Sequence, residues 1–172
     1  MRKRLIAFFV AVMAVAAQSV ACTSVIVGKD ASVDGSVMCT YSCDSYGTFH
    51  PMYHFPAAKH EKGEMLKIYD RDTRVYHGEI PEAPITYNVV GNMNEWQVTI
   101  GETTFGGRSE LIDTTGIMDY GSLMNVALQR SKTAREAISV MTTIAETYGF
   151  NSSGESFTSC DPNEAWIMEM VG

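Results

Sequence analysis

Positive charge is scarce in this chain. Its 13 lysines and arginines face 20 aspartates and glutamates, for a net charge of −7. Arg2, Lys3 and Arg4 all sit at the extreme N-terminus, so everything after them is more acidic still. A surface with that balance is a poor partner for a phosphate backbone, which argues against nucleic-acid binding. It suits cationic or amine-bearing ligands, or simply confers solubility. Long apolar runs are scarce as well: beyond Leu5–Ala17, no stretch approaches the ~20 residues that cross a bilayer as a helix. No permanent membrane segment is expected.

Cysteine and histidine number only four each. Cys22, Cys39, Cys43 and Cys160 do not read as the cystine framework of a small exported domain, because aliphatic and aromatic residues suffice for a core. Cys39 and Cys43 lie four apart on an expected strand. They share a face, and a bridge along a single strand is geometrically poor. His50 and His54 have the i, i+4 spacing of metal ligands on a helix, but Pro51 and Pro56 argue against a helix there. No metal and no cofactor is expected.

What the sequence does have is a leader. Arg2–Arg4 form a basic segment, Leu5–Ala17 an uncharged apolar one, and Ser19 and Ala21 occupy the −3 and −1 positions of a cleavage site. Residues 1–21 therefore read as a signal peptide, with cleavage after Ala21 and a secreted or periplasmic product. Cleavage there makes Cys22 the new N-terminus. One residue then carries both a thiol and a free α-amine titrating near pH ~8, so the amine can take the proton of a nucleophile beside it. Two other readings of Cys22 stand on the same residues. It is a lipid attachment point, although Ser19 stands where lipoprotein leaders usually place a leucine-like residue. Or it is a small apolar residue starting a strand.

Thr23–Val27 is β-branched and ends at Gly28, and the Asp34-Gly35 turn dipeptide leads into an extended Ser36–Ser42, predicting a β-hairpin. His50–Ala83 reads as irregular surface structure with one strand at Met65–Tyr69. Ile85–Val90 and Gln97–Glu102 are expected strands joined by a turn at 91–95. Asp119 caps an expected helix over Tyr120–Arg130, and Thr133 with Glu136 forms a capping box for Ala134–Tyr148, closed by Gly149. Ala137, Ile138, Met141, Ile144, Ala145 and Tyr148 fall on one face, for a core. Phe157–Cys160 and Ala165–Val171 return to strand. Strands, a helical pair and strands again predict a layered α+β sandwich rather than an alternating parallel sheet. Nothing closes the sheet after Val171-Gly172, so the chain is expected to be the N-terminal part of a longer domain.

The run Cys22-Thr23-Ser24-Val25-Ile26-Val27-Gly28-Lys29-Asp30-Ala31-Ser32-Val33-Asp34-Gly35-Ser36 resembles the mature start of the secreted C69 (U34) dipeptidases, N-terminal-cysteine members of the Ntn-hydrolase superfamily. Asn94-Glu95-Trp96-Gln97-Val98, Glu102-Thr103-Thr104-Phe105-Gly106-Gly107-Arg108 and Gly154-Glu155-Ser156-Phe157 with Asp161-Pro162-Asn163-Glu164-Ala165-Trp166 agree in the same order. The resemblance covers essentially all of residues 22–172. It implies a four-layer αββα sandwich and hydrolysis of dipeptides or short peptides, with Cys22 attacking the scissile carbonyl, its α-amine shuttling the proton, and a thioester acyl-enzyme.

The resemblance also implies roles for three further residues. Asp44 matches the acidic position beside the nucleophile in related enzymes, where it orients the α-amine; as a plain loop residue it would cap a turn. Tyr41 stands where relatives often carry an arginine, and it offers a neutral donor in place of a fixed charge. Thr104 falls where bile-salt and penicillin amidase relatives place an oxyanion-hole asparagine, or else it packs in the sheet. Asn94 reads as a turn former. In the relatives, further site residues lie beyond the equivalent of Gly172. Two rival functions remain open: an Ntn amidase acting on non-peptide amides, and a non-catalytic lipid-anchored surface protein. A homo-oligomer is compatible with all three.

Overall fold

The computed structural model describes residues 22–44 and 52–171. The expected leader, Met1–Ala21, and the metal candidate His50 lie outside the described residues. Thr23–Val27 (β1) and Met38–Ser42 (β2) pair antiparallel from Thr23↔Ser42 to Val27↔Met38, as the β-branched run predicts. The connection is longer than the expected tight turn. It spans 28–37, with a short 3₁₀ turn at Lys29–Ala31, and Asp34 accepts the Ser36 N–H while Gly35 sits at φ +73°. The Asp-Gly pair thus bends a loop rather than closing the hairpin.

The stretch expected to be irregular holds more strand than its charge pattern indicated. His54–Phe55 (β3), Ala58–Lys59 (β4), Met65–Tyr69 (β5) and Tyr76–Pro81 (β6) follow one another, and β5 pairs with β6. The expected strand Ile85–Val90 divides into Ile85–Thr86 (β7), which pairs with β4, and Val89–Val90 (β8), which pairs with β3. Met93–Asn94 (β9) is strand as well, and Thr99–Gly106 (β10) runs four residues past the expected end at Glu102. Two helices follow, Tyr120–Arg130 (α1) and Ala134–Tyr148 (α2), then Gly154–Cys160 (β11) and Ala165–Met170 (β12). The main sheet has the order β12-β11-β10-β9-β8-β3.

Both helix caps are those the sequence predicts. Asp119 accepts from the N–H groups of Gly121 and Ser122, and Thr133 accepts from Glu136. Gly149, at φ +76°, donates to the Ala145 carbonyl and ends α2. Asp119 is 1% exposed, so water cannot replace it. Asp119→Ala is therefore expected to destabilise the fold by about 1–2 kcal/mol, and Asp119→Asn by less, as read by urea unfolding. Wild-type stability in the alanine variant would refute the cap.

Alternation along the paired strands β10 and β11 places Ile100, Glu102, Phe157 and Ser159 on one face and Gly101, Thr103, Thr158 and Ser156 on the other. The first face meets the helices. Ile100 and Phe157 share a buried cluster with Leu123, Met124, Ala137 and Met141, and Ala137, Met141 and Ile144 come from the apolar face expected of α2. The second face meets the hairpin. A Cβ on Gly101 would lie 3.0 Å from Tyr41 Cβ and 2.9 Å from Thr158 Oγ1, so glycine lets β2 lie directly on the sheet. The architecture is α+β, with helices and hairpin on opposite faces of one sheet. Among the described residues no helix is long and apolar enough to cross a membrane.

Candidate active site

The hairpin sets Cys22, the residue before β1, within hydrogen-bond reach of Glu102 on β10. A cavity of about 830 Å³ opens there, and its lining includes Cys22, Tyr41, Asp44, Asp72, Glu102 and Glu155. Glu102 is the hub. The Cys22 thiol donates to Glu102 Oε1 at 3.4 Å, and the Tyr41 hydroxyl donates to the same oxygen at 2.6 Å. Thr104 Oγ1 lies 3.3 Å from Glu102 Oε2 and 3.0 Å from Glu155 Oε1. Glu102 and Glu155 are each 2% exposed, two buried acidic side chains on the sheet face that also carries Ile100 and Phe157.

Burial decides the protonation states here. It raises the Cys22 thiol to about 11; the Asp44 backbone N–H opposes that change and the neighbouring Glu102 adds to it. With Ala21 still attached, the sulfur therefore holds its proton at neutral pH. Burial and the bond to Glu102 push the Tyr41 hydroxyl well above its ordinary range, so it is a neutral donor. Glu155 is raised to about 8, first by burial and then by its hydrogen bond to Glu102 and the repulsion from it. Its Oε2 is buried and receives no hydrogen bond. Burial without a partner disfavours a charge there, and a neutral carboxylic acid fits both facts.

A model of peptidase family C69 matches residues 21–172. The chain belongs to peptidase family C69. A probable dipeptidase of Latilactobacillus sakei is 27% identical over 169 residues, covering 88% of this chain and 35% of that protein. A dipeptidase of Bifidobacterium longum is 26% identical over 183 residues, covering 88% of this chain and 33% of its own. A probable dipeptidase of Salmonella dublin is 26% identical over 190 residues, or 97% and 42%. The chain spans about a third of the length of the first curated relatives it matches.

Within this C69 chain, Cys22, Tyr41, Asp44 and Thr104 all line the cavity. Asp44 reaches Cys22 through its backbone N–H. Tyr41 spends its hydroxyl on Glu102. The Thr104 hydroxyl proton is engaged by two acids, so an oxyanion role for that hydroxyl requires it to turn away from them. Asn94 makes its turn by accepting from the N–H groups of Trp96 and Val98, and its amide also donates to the carbonyls of Leu128 and Ser131 at the end of α1. His54 starts β3 and bonds Asn88.

Sequence reasoning missed Glu102 and Glu155, although both stood inside the motifs that carried the resemblance. A signal was there. Glu102 shares a face with Ile100, and Glu155 with Phe157; a charged residue in register with core residues is either paired or functional. All four cysteines are free thiols. Cys160 donates to Cys39, which lowers Cys39 to about 6 and raises Cys160, and Cys39 also lies 3.7 Å from Thr158 Oγ1. That pair lies where the hairpin strand β2 packs on β11.

Proposed function

We propose that this chain is the nucleophile-bearing part of an exported cysteine dipeptidase of the Ntn type, secreted or periplasmic, with a four-layer αββα sandwich in the whole protein. The observation that carries the reading is the placement of Cys22: its thiol lines an acid-walled cavity, in hydrogen-bond contact with buried Glu102. The similarity to proteins named as dipeptidases supplies the substrate class.

The chemistry then follows in order. Removal of the leader after Ala21 puts an α-amine on the residue whose thiol faces the cavity. The amine takes the thiol proton, and the sulfur attacks the peptide carbonyl. The protonated amine hands its proton to the leaving amino group, and water resolves the thioester. The Asp44 side chain orients the amine, while its backbone N–H supports the developing thiolate. Tyr41 holds Glu102 in place of the arginine of related enzymes. Thr104 is the candidate oxyanion donor.

The thiol at about 11 in the uncut chain makes processing the activating step, since an ammonium group beside the sulfur favours its thiolate form. The exported product should begin at unmodified Cys22 by N-terminal sequencing and intact mass. It should hydrolyse members of a dipeptide panel in preference to acyl amides. A leader-site variant that blocks cleavage should leave Cys22 at least roughly 10-fold slower in mass-mapped alkylation at neutral pH, because the small thiolate fraction falls tenfold each time the thiol pKa rises by one. A mature chain starting elsewhere, or a diacylglycerol adduct on Cys22, ends the proposal.

A further inference from the structure

We propose that Cys22, Cys43 and Glu102 form a binding site for a zinc-class divalent cation, and that the bound ion masks the nucleophile. The last paired residues of the hairpin are Thr23 and Ser42. Cys22 and Cys43 are therefore the next cross-strand neighbours, and alternation puts Cys43 on the same side of β2 as Tyr41 and Cys39. The two sulfurs and a carboxylate oxygen of Glu102 lie within 4.8 Å of one another, and the Cys22–Glu102 edge is already 3.4 Å. A tetrahedral zinc with Zn–S near 2.3 Å and Zn–O near 2.0 Å needs ligand atoms roughly 3.5–3.8 Å apart. Rotation of the exposed Cys43 side chain supplies that contraction.

Three features of the surroundings fit a metal. The Glu102 oxygens are oriented by the Tyr41 and Thr104 hydroxyls, the outer hydrogen bonds that tune a carboxylate ligand. The cavity lining adds Asp44, Asp70 and Asp72 against the cation of Arg71, a balance that concentrates cations. Two thiolates with one carboxylate select zinc over calcium or magnesium. The fourth ligand is the Cys22 α-amine, which closes a five-membered N,S chelate; this clause rests on the processing proposed above, and water takes the position otherwise. Binding displaces the two thiol protons to solvent and involves no electron transfer. An ion held through the nucleophilic sulfur blocks attack on a carbonyl.

The test uses the exported, processed protein with zinc alone in equilibrium dialysis, and cobalt(II) as a spectroscopic probe. One equivalent should bind, cobalt should show thiolate charge-transfer absorption, and zinc should inhibit dipeptide hydrolysis reversibly on chelation. Cys43→Ser, a near-isosteric change at an exposed position on the cavity wall, should weaken zinc binding about 100-fold or more and lose the inhibition, which is read as zinc-treated against metal-free turnover of the same variant. Zinc binding unchanged in Cys43→Ser overturns the site. So does zinc retained by a Cys22→Ser, Cys43→Ser double variant and lost in Cys39→Ser, which moves the metal to the other thiol pair. So does recovery of Cys22 and Cys43 as an oxidised pair that takes no metal under reducing conditions. Metal binding through both cysteines in a protein without peptidase activity sinks the proposed function and leaves this site standing; turnover that zinc never affects does the reverse.

Discussion

Replacing Cys22 with alanine is expected to lower dipeptide turnover of the whole protein by roughly 10⁴-fold or more, the scale seen when a covalent nucleophile is removed, while leaving the fold in place. The structural side of that expectation rests on what the sulfur touches. Cys22 is only partly buried, its side chain bonds Glu102 through a long 3.4 Å contact, and Glu102 keeps its bonds from Tyr41 and Thr104 when the thiol is gone. The stability change should therefore stay below about 1 kcal/mol. Cys22→Ser should retain no more than traces of activity, because a hydroxyl is far harder to deprotonate than a thiol and the same amine must do it. Circular dichroism and urea unfolding separate loss of chemistry from loss of fold. Normal turnover in folded Cys22→Ala would falsify the nucleophile assignment, and with it the reading of the leader as an activating segment.

The helices were readable from sequence because their signals are local. Asp119, Thr133, Glu136 and Gly149 each act within a turn of the helix they cap, and the apolar spacing of α2 names its buried face directly. The hairpin was readable for the same reason, since Thr23–Val27 is β-branched and its partner lies close along the chain. The two-residue strands were not. Ile85–Val90 has one continuous apolar-polar pattern, yet its two ends pair with β4 and β3 in different sheets, a division set by partners about thirty positions away. Charge and prolines around His50–Ala83 indicated surface loop, and cross-strand pairing overrode them.

The site divides along the same line. Cys22 was named from the cleavage pattern of the leader, and Tyr41, Asp44 and Thr104 through a resemblance to a family; all four line one cavity. Their wiring was not legible, because it depends on which side of β10 the hairpin lies. Gly101 permits that approach, and nothing in a single sequence says that the close backbone will be β2. The tyrosine that replaces an arginine makes the point. By its chemistry alone it promises a donor to the substrate; in place, it is spent on a buried carboxyl. The hub of the site is thus an acid that sequence reasoning left inside a motif without a role.

Glu155 gives the second large effect, and its sign is fixed by which state holds the proton more tightly. The carboxyl titrates at about 8 in the folded protein against 4.5 for the unperturbed group. As pH rises through that interval the unfolded chain has already released the proton while the folded protein still binds it, so folding stability must fall with rising pH across the window. Below about 4.5 both states are protonated and this contribution is complete; above about 8 it is gone. The size is on the order of a few kcal/mol, since each tenfold difference in proton affinity between the two states is worth about 1.36 kcal/mol. Glu155→Gln copies the neutral acid: it keeps an acceptor for Thr104, and it cannot ionise. Urea unfolding between pH 5 and pH 9 should show the wild type losing stability relative to Glu155→Gln as pH rises, a difference that removes the opposite contribution of the lowered Cys39 thiol, with the variant the more stable at the alkaline end. Glu102→Gln should leave part of the slope, because burial, the larger cause, survives when the neighbouring charge is removed. An unchanged slope in Glu155→Gln would mean that the proton resides elsewhere in the cavity, and the neutral acid at the back of the site would have to be abandoned.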